Sequence, residues 1–154
     1  MHTARLRIRR FQADDLDALS DLLSDKEVMK YLEAPYTREA AIAFLRRCGM
    51  ADPPQVYAVE DCRQAFIGYV IYHPYDTASY EIGWVLRKSQ WHKGYASELT
   101  EALIKDARNR TDHLIIECLP SQTATKKIAE KHHFSFVENR DGLDVYMLCL
   151  NGKS

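Results

Sequence analysis

The sequence has no hydrophobic run long enough to span a bilayer. Its longest uninterrupted apolar stretch runs from Ala65 to Tyr72, whereas a membrane-spanning helix needs about 20 residues. The first residues, Met1 to Arg7, alternate basic and apolar side chains and contain no apolar block of the kind that a secretory signal requires. We therefore expect a protein that has no membrane partner and stays in the cytoplasm.

Cysteine and metal-ligand motifs are also scarce. The four cysteines include no CxxC pair and are too few for a disulfide scaffold in a chain of 154 residues. His113, His132 and His133 form no HxxxH pair and have no Cys/His spacing typical of a closed zinc site. We expect reduced thiols and predict no metal.

Neither sign of charge is in excess. The chain has 21 Lys and Arg residues against 22 Asp and Glu residues, for a formal net charge of -1, so no overall field attracts nucleic acid or an anionic surface. We expect no direct nucleic-acid partner. The composition, 46% hydrophobic and 28% charged, is that of an ordinary soluble domain. The length predicts a single domain over residues 1–154.

Alternating apolar and polar residues predict strands, and apolar residues at helical spacing predict helices. The first strand contains Leu6 and Ile8 and has a cationic face with Arg5, Arg7 and Arg9. Further strands are predicted at about 55–60, 65–72, 79–86, 114–119, 134–137 and 143–150, with a hairpin turn at Asp141-Gly142. Helices are predicted from Asp14 to about Ser24, from Thr37 to Gly49, from Gly94 to Asn109 and from Pro120-Ser121 to about His132.

The segment from Tyr80 to Leu99 is a strand, a polar loop and the start of a helix, in that order. A helix N-terminus exposes unpaired N–H groups and the positive end of the helix dipole, so the loop that enters it can bind a phosphate. Gly94 permits a close approach of the backbone to such a group. A single glycine in a strand-to-helix turn is not specific, and the surrounding residues decide the interpretation.

These surroundings resemble the GNAT superfamily of acyl-coenzyme-A-dependent N-acetyltransferases, in particular the branch that acetylates ribosomal-protein N-termini. The resemblance rests on Glu81-Ile82-Gly83-Trp84, Trp91-His92-Lys93-Gly94-Tyr95-Ala96 and Glu130-Lys131-His132-His133-Phe134. The family's pyrophosphate motif, Q/R-x-x-G-x-G/A, fits at Gly94 and Ala96. The resemblance implies an α/β fold with a mixed, centrally splayed sheet of six to seven strands and about four helices on both faces. It also implies acetyl-CoA as co-substrate and allows a homodimer.

The resemblance further assigns binding roles. In this family the end of the splayed strand offers backbone partners to the pantetheine arm, and the loop that follows holds the pyrophosphate. The strand residues are Trp84, Val85 and Leu86, and the loop residues are Trp91, His92, Lys93, Gly94, Tyr95, Ala96 and Ser97. Gln122 falls where the family has an asparagine that contacts coenzyme A. Ala129 stands where many relatives carry a tyrosine acid. A thiol with a pKa near 8.5 makes its thiolate a tolerable leaving group, and water or another side chain can supply the proton instead.

Two glutamates are candidates for the base that removes a proton from the acceptor ammonium, whose free pKa is about 8 for an α-amine and about 10.4 for a lysine. Glu81 resembles the glutamate that several relatives use, often through water. The alternative is that Glu81 faces solvent or forms a salt bridge across the sheet, since a one-residue bulge reverses its direction. Glu117 on the next parallel strand is the second candidate, with an ordinary strand-edge charge as its alternative.

The residues and the resemblance together predict direct acetyl transfer from acetyl-CoA to a primary amine. The leading acceptor is a protein N-terminal α-amine. A small amine, either a polyamine or an aminoglycoside, is the alternative. A catalytically silent coenzyme-A-binding module is a further hypothesis, because His92, Ala129 and His133 depart from the family pattern.

Overall fold

The structure is a computed structural model that describes residues 1–151. In this range it has seven strands and four α-helices, in the predicted order and of the predicted mixed α/β class. The elements are β1 (Leu6–Arg9), α1 (Leu16–Leu23), α2 (Arg38–Phe44), β2 (Val56–Asp61), β3 (Phe66–Pro74), β4 (Ser79–Leu86), α3 (Tyr95–Ala107), β5 (His113–Cys118), α4 (Thr123–Lys131), β6 (Ser135–Arg140) and β7 (Leu143–Cys149). None of these helices is long and apolar enough to cross a membrane.

The strands form one open sheet in the order β1-β2-β3-β4-β5-β7-β6. Antiparallel pairing joins β1 to β2, β2 to β3, β5 to β7 and β6 to β7. The parallel pairing of β4 with β5 covers only Ser79–Glu81 against His113–Ile115, although both strands continue beyond it. The central splay that the resemblance implies stays a prediction.

The chain folds into two compact units. Unit 1 contains residues 1–71 and 84–95, and unit 2 contains residues 72–83 together with the residues from 96 onwards. The assignment of residues 1–154 to a single domain stays a prediction, and its last three residues lie outside the described range.

The core of unit 1 forms around α1. Leu19, Leu22 and Leu23 recur at helical spacing and are fully buried, and they join a cluster that includes Tyr69 of β3 and Val85 of β4. Thr37 caps α2 as predicted, since its hydroxyl accepts a hydrogen bond from the Ala40 amide at 3.2 Å. After Phe44 this helix continues as a π-helical turn, Leu45–Gly49.

Asp15, and not the predicted Asp14, organises the start of α1. The Asp15 carboxylate accepts hydrogen bonds from the Gln12 amide at 2.8 Å and from Arg9 at 2.8 and 2.9 Å. Arg9 also pairs with the buried Glu60 at 2.9 Å. Burial opposes ionisation of Asp15, but the hydrogen bonds from Arg9 and Gln12 outweigh it and hold the pKa of Asp15 below its usual value. The prediction for Asp14 was wrong because Arg9 and the Gln12 amide both donate hydrogen bonds to the carboxylate of the next residue, Asp15.

Gly68 allows β3 and the end of β4 to approach closely in unit 1. Its φ is +153°, and a Cβ atom there would lie 2.1 Å from the Val85 carbonyl oxygen and 2.8 Å from Leu86 Cα. The Arg87 amide donates to the Ile67 carbonyl at 2.8 Å next to this contact. Only glycine fits this position without moving the backbone of β4.

Unit 2 buries one face of α3 and most of β5. Leu99, Leu103 and Ala107 of α3 and Leu114 of β5 are fully buried. The predicted turn between β6 and β7 is confirmed, with positive φ angles at Asp141 (55°) and Gly142 (87°).

Candidate active site

Glu81 lies on β4 opposite His73 of β3. The Tyr75 amide donates to the Ser79 carbonyl at 2.9 Å, and counting along the antiparallel strands from this pair places His73 opposite Glu81. His73 Nε2 lies 3.4 Å from Glu81 Oε1, and each side chain is 24% exposed. Hydrogen bonding to Glu81 raises the pKa of His73, although burial opposes this change. Glu81 therefore forms a cross-strand pair and stays accessible to solvent.

Glu117 projects from the same face of the sheet as Glu81. It lies two positions beyond Ile115, which pairs with Glu81, and side chains alternate along a strand. Hydrogen bonding to the Glu117 carboxylate raises the pKa of Tyr75 to about 12, and Glu81 adds to the effect. Arg140 Nη1 donates to the same Tyr75 hydroxyl at 3.2 Å. The structure thus brings both candidate bases to one sheet face, where both act on Tyr75.

Trp84, Val85 and Leu86 form the end of β4. Val85 and Leu86 are buried, and Trp84 is half-buried. The Leu86 carbonyl accepts a hydrogen bond from the Trp91 indole nitrogen at 3.0 Å, so one predicted backbone partner of pantetheine already has a donor. Along an antiparallel strand, the backbone N–H and C=O groups of successive residues point alternately towards the partner strand and away from it. Because the Arg87 amide bonds to Ile67 of β3, the backbone groups of Trp84, three positions earlier, point away from β3.

The residues Trp91 to Gly94 form an exposed loop between a 3-10 turn, Lys88–Gln90, and α3. His92 and Gly94 have φ angles of 62° and 81°. A Cβ atom on Gly94 would meet a single heavy atom within 4 Å, Arg5 Nη2 at 3.5 Å. The surface over Gly94 is therefore open to a close approach by another group.

Arg5 holds this loop, although the sequence placed it only on the cationic face of the first strand. Its Nη2 donates to the Lys93 carbonyl at 2.9 Å. Its guanidinium carbon lies 4.4 Å from the centre of the Tyr95 ring, a cation–π distance. These two contacts fix the loop on both sides of Gly94. No local pattern could predict them, because they connect residues far apart in the sequence.

Ala96 and Ser97 begin the part of α3 that belongs to unit 2. The Ser97 hydroxyl lies 2.7 Å from His132 Nε2 and accepts a hydrogen bond from Lys131 Nζ at 3.0 Å. Burial lowers the pKa of His132, so a neutral ring can accept the Ser97 hydroxyl proton at pH 7. Lys131 and His132 were not predicted as site residues, and their only sequence signal was their place in the late family motif.

Gln122 is engaged in the turn before α4. Its Oε1 accepts from the Leu119 amide at 2.7 Å, and its Nε2 lies 3.5 Å from Thr125 Oγ1. The coenzyme contact assigned to Gln122 stays a prediction. Ala129 is fully buried in α4, so this position offers no acid. Within residues 1–151, no three His, Cys, Asp or Glu side chains group closely enough to hold a metal ion.

Comparison with known proteins gives the family. The family described as "Acetyltransferase (GNAT) domain" matches residues 5–135. The chain is 35% identical over 146 residues to the uncharacterized N-acetyltransferase YnaD of Bacillus subtilis (strain 168). The match covers 87% of this chain and 84% of that protein. The chain therefore belongs to the GNAT family of acetyl-CoA-dependent N-acetyltransferases.

Solved structures share this fold. An acetyltransferase (GNAT family) from Bacillus anthracis has a TM-score of 0.86 and 25% identity, covering 97% of this chain and 98% of that chain. The spermidine N-acetyltransferase from Vibrio cholerae, solved with CoA and spermine, has a TM-score of 0.78 and 18% identity. The match covers 94% of this chain and 95% of that chain. RimL, a ribosomal L7/L12 alpha-N-protein acetyltransferase solved with CoA, has a TM-score of 0.76 and 17% identity. The match covers 98% of this chain and 97% of that chain. The last two show the fold alone.

Proposed function

We propose that the chain transfers the acetyl group of acetyl-CoA to a primary amine, with a protein N-terminal α-amine as the leading acceptor. The observation that carries this proposal is the presence of Glu81 and Glu117 on one face of the sheet, on the two strands whose pairing ends after three residues. A solvent-accessible carboxylate in this position can take the ammonium proton that must leave before the amine can attack.

The loop after β4 fits a diphosphate. Its residues are exposed, and positive φ angles at His92 and Gly94 turn the backbone immediately before a helix N-terminus. We assign the pyrophosphate to the amides of residues 91–97 and the pantetheine arm to the backbone of residues 84–86, with Gln122 as a further contact. When bound, acetyl-CoA supplies an acetyl thioester that an amine can attack.

The cost of removing a proton favours an α-amine as the acceptor. At pH 7 an α-amine with a pKa of about 8 loses its proton at a cost of about 1.4 kcal/mol, whereas an amine with a pKa of about 10.4 needs about 4.6 kcal/mol. A carboxylate base more easily meets the smaller cost. Polyamines and aminoglycosides are the alternative acceptors, and the fold includes an enzyme named for spermidine.

Thiol release from acetyl-CoA tests the acceptor. We would compare peptides with a free N-terminus, the same peptides with a blocked N-terminus, spermidine and an aminoglycoside. We expect turnover with the free peptides and none with the blocked ones. Faster turnover with spermidine or the aminoglycoside would assign a small amine instead. Binding of acetyl-CoA without thiol release for any amine would indicate a silent binding module.

Substitution of Glu81 tests the base. Glu81→Gln should keep the affinity for acetyl-CoA and lower turnover by about 10² to 10⁴, the usual effect of losing a general base. The loss should shrink as pH rises, because more of the acceptor is then already neutral. Glu130→Gln, which removes an exposed carboxylate of α4, is the matched control and should retain activity. Near wild-type turnover in Glu81→Gln, with a large loss in Glu117→Gln, would transfer the role to Glu117.

A further inference from the structure

His73 was not among the residues that the sequence singled out, yet both of its ring nitrogens face oxygen atoms. Its Nδ1 lies 2.8 Å from the Pro74 carbonyl oxygen, and its Nε2 lies 3.4 Å from Glu81 Oε1. A carbonyl oxygen accepts hydrogen bonds and cannot donate them, so Nδ1 carries a proton. The opposite nitrogen, Nε2, is then the one that can take up a second proton beside Glu81.

The other charged and titratable groups near this pair come from three elements. Tyr75 lies two positions further along the chain, and both Glu117 of β5 and Glu81 raise its pKa. Arg140 of β6 donates a hydrogen bond to the Tyr75 hydroxyl. On the opposite face of β3, the Tyr72 hydroxyl donates to Asp106 of α3 at 2.7 Å, and this pair points away from His73 because neighbouring side chains alternate. Glu81 is therefore the direct ionic partner of His73.

We propose that His73 is a positioning residue that joins Glu81 to form a single proton acceptor. The proposal rests on the proposed role of Glu81 as the base. The ammonium N–H bond breaks and its electron pair stays on the amine nitrogen, while the proton passes to a Glu81 oxygen. Glu81 then transfers this proton to His73 Nε2, so that the carboxylate is restored and the ring becomes an imidazolium. Both side chains are partly exposed, which lets the imidazolium release its proton to water after each turnover.

This arrangement makes activity depend on the protonation of His73. The ring must be neutral to accept a proton, and its pairing with Glu81 raises the pKa of His73 above the ordinary value of 6.5. Activity should therefore fall on the acid side when the His73–Glu81 pair takes up a proton. This fall should occur well above the pH range of an isolated glutamate, whose pKa is about 4.3. A base of this kind suits neutral pH better than a carboxylate alone.

The first test is the pH dependence of kcat/KM for His73→Gln, which keeps a hydrogen-bond donor but cannot be protonated. One amine is used throughout, so its own ionisation is common to all profiles. We expect the acid limb to move to lower pH by about one unit or more and the plateau to fall, with an unchanged acetyl-CoA-induced increase in Tm. His113→Gln, at the start of β5, is the matched control and should keep the wild-type profile. An unchanged acid limb in His73→Gln would overturn the proposal.

The second test needs no catalysis. Titration of the imidazole nitrogens by NMR in the free protein should show a pKa of His73 above 6.5, and Glu81→Gln should lower it. No change in this variant would show that the two groups are not coupled. In activity assays, His73→Gln combined with Glu81→Gln should be no slower than Glu81→Gln alone, because the two residues act as one unit.

Failure of this proposal is distinct from failure of the proposed function. If Glu81→Gln retains full turnover, Glu81 is not the base and the role of His73 falls with it, whereas the proposed acetyl transfer is overturned only if no amine releases thiol from acetyl-CoA. If Glu81→Gln loses turnover while His73→Gln keeps the wild-type acid limb, only the role of His73 is overturned.

Discussion

A methyl group at Gly68 should strongly destabilise the protein. In Gly68→Ala the new Cβ atom would lie 2.1 Å from the Val85 carbonyl oxygen and 2.8 Å from Leu86 Cα. Both contacts are with backbone atoms, so no side chain can rotate away to relieve them. The end of β4 must therefore move away from β3, and the hydrogen bond from Arg87 to Ile67 must lengthen.

The expected loss combines two costs. An L-residue held at a positive φ costs about 1–2 kcal/mol, and forcing an additional methyl group into a packed site typically costs about 1–3 kcal/mol. The free energy of unfolding should thus fall by about 2–5 kcal/mol. In a domain of this size each kcal/mol lowers Tm by about 2–4 °C, which gives a decrease of about 4–20 °C.

Gly142→Ala separates the two costs. Gly142 has a φ of +87°, and a Cβ atom there would have no neighbour within 4 Å, so this variant carries the conformational cost alone, about 1–2 kcal/mol. Urea denaturation, with linear extrapolation to water, gives the free energy of unfolding of each variant. If Gly68→Ala is destabilised no more than Gly142→Ala, the close backbone contact does not limit stability, and the argument from β4 is wrong.

Two further predictions concern the loop and the buried ion pairs. Gly94→Val should abolish the increase in Tm that acetyl-CoA produces, whereas Gly142→Ala should keep it. In the wild type this increase corresponds to about 2.7 kcal/mol of stabilisation at 100 times Kd. An undiminished increase in Gly94→Val would show that the loop does not hold the pyrophosphate. Arg9→Met should lower the free energy of unfolding by up to about 3–5 kcal/mol, because it removes the ion-pair partner that Asp15 and Glu60 share and leaves them only the Gln12 amide and Arg7, respectively. Because the pKa of Asp15 is lowered, its contribution is present above about pH 4 and is lost as pH falls through its folded value. The deficit of Arg9→Met measured by urea denaturation should therefore shrink at low pH, and an equal deficit at pH 7 and pH 3 would contradict this assignment.

Local signals predicted most of the fold. The cap at Thr37 and the turn at Asp141-Gly142 depend on residues within a few positions of each other, and both are confirmed. The start of the first helix was misassigned between two adjacent aspartates, since contacts with Arg9 and with the Gln12 amide, and not residue type, distinguish Asp15 from Asp14. Propensity ranks the two residues equally.

Less of the candidate site could be predicted from the sequence. Glu81 and Glu117 were named from the chemistry and the family resemblance, but their direction depends on strand register, which the alternation of side chains alone leaves open. The partner of Glu81, His73, follows from the register of the β3–β4 hairpin, and Arg5 reaches the loop from a distant part of the chain. Contacts of this kind depend on tertiary structure, and a single sequence contains no local pattern for them.

The short parallel register between β4 and β5 affects the rates of local opening within β4. Among the described residues this register ends at Glu81. An amide that lacks a strand partner exchanges its hydrogen through small local motions, whereas a paired amide in a core strand exchanges only through larger openings. The paired segment Ser79–Glu81, which contains the candidate base, should therefore exchange its amide hydrogens only through larger and rarer openings.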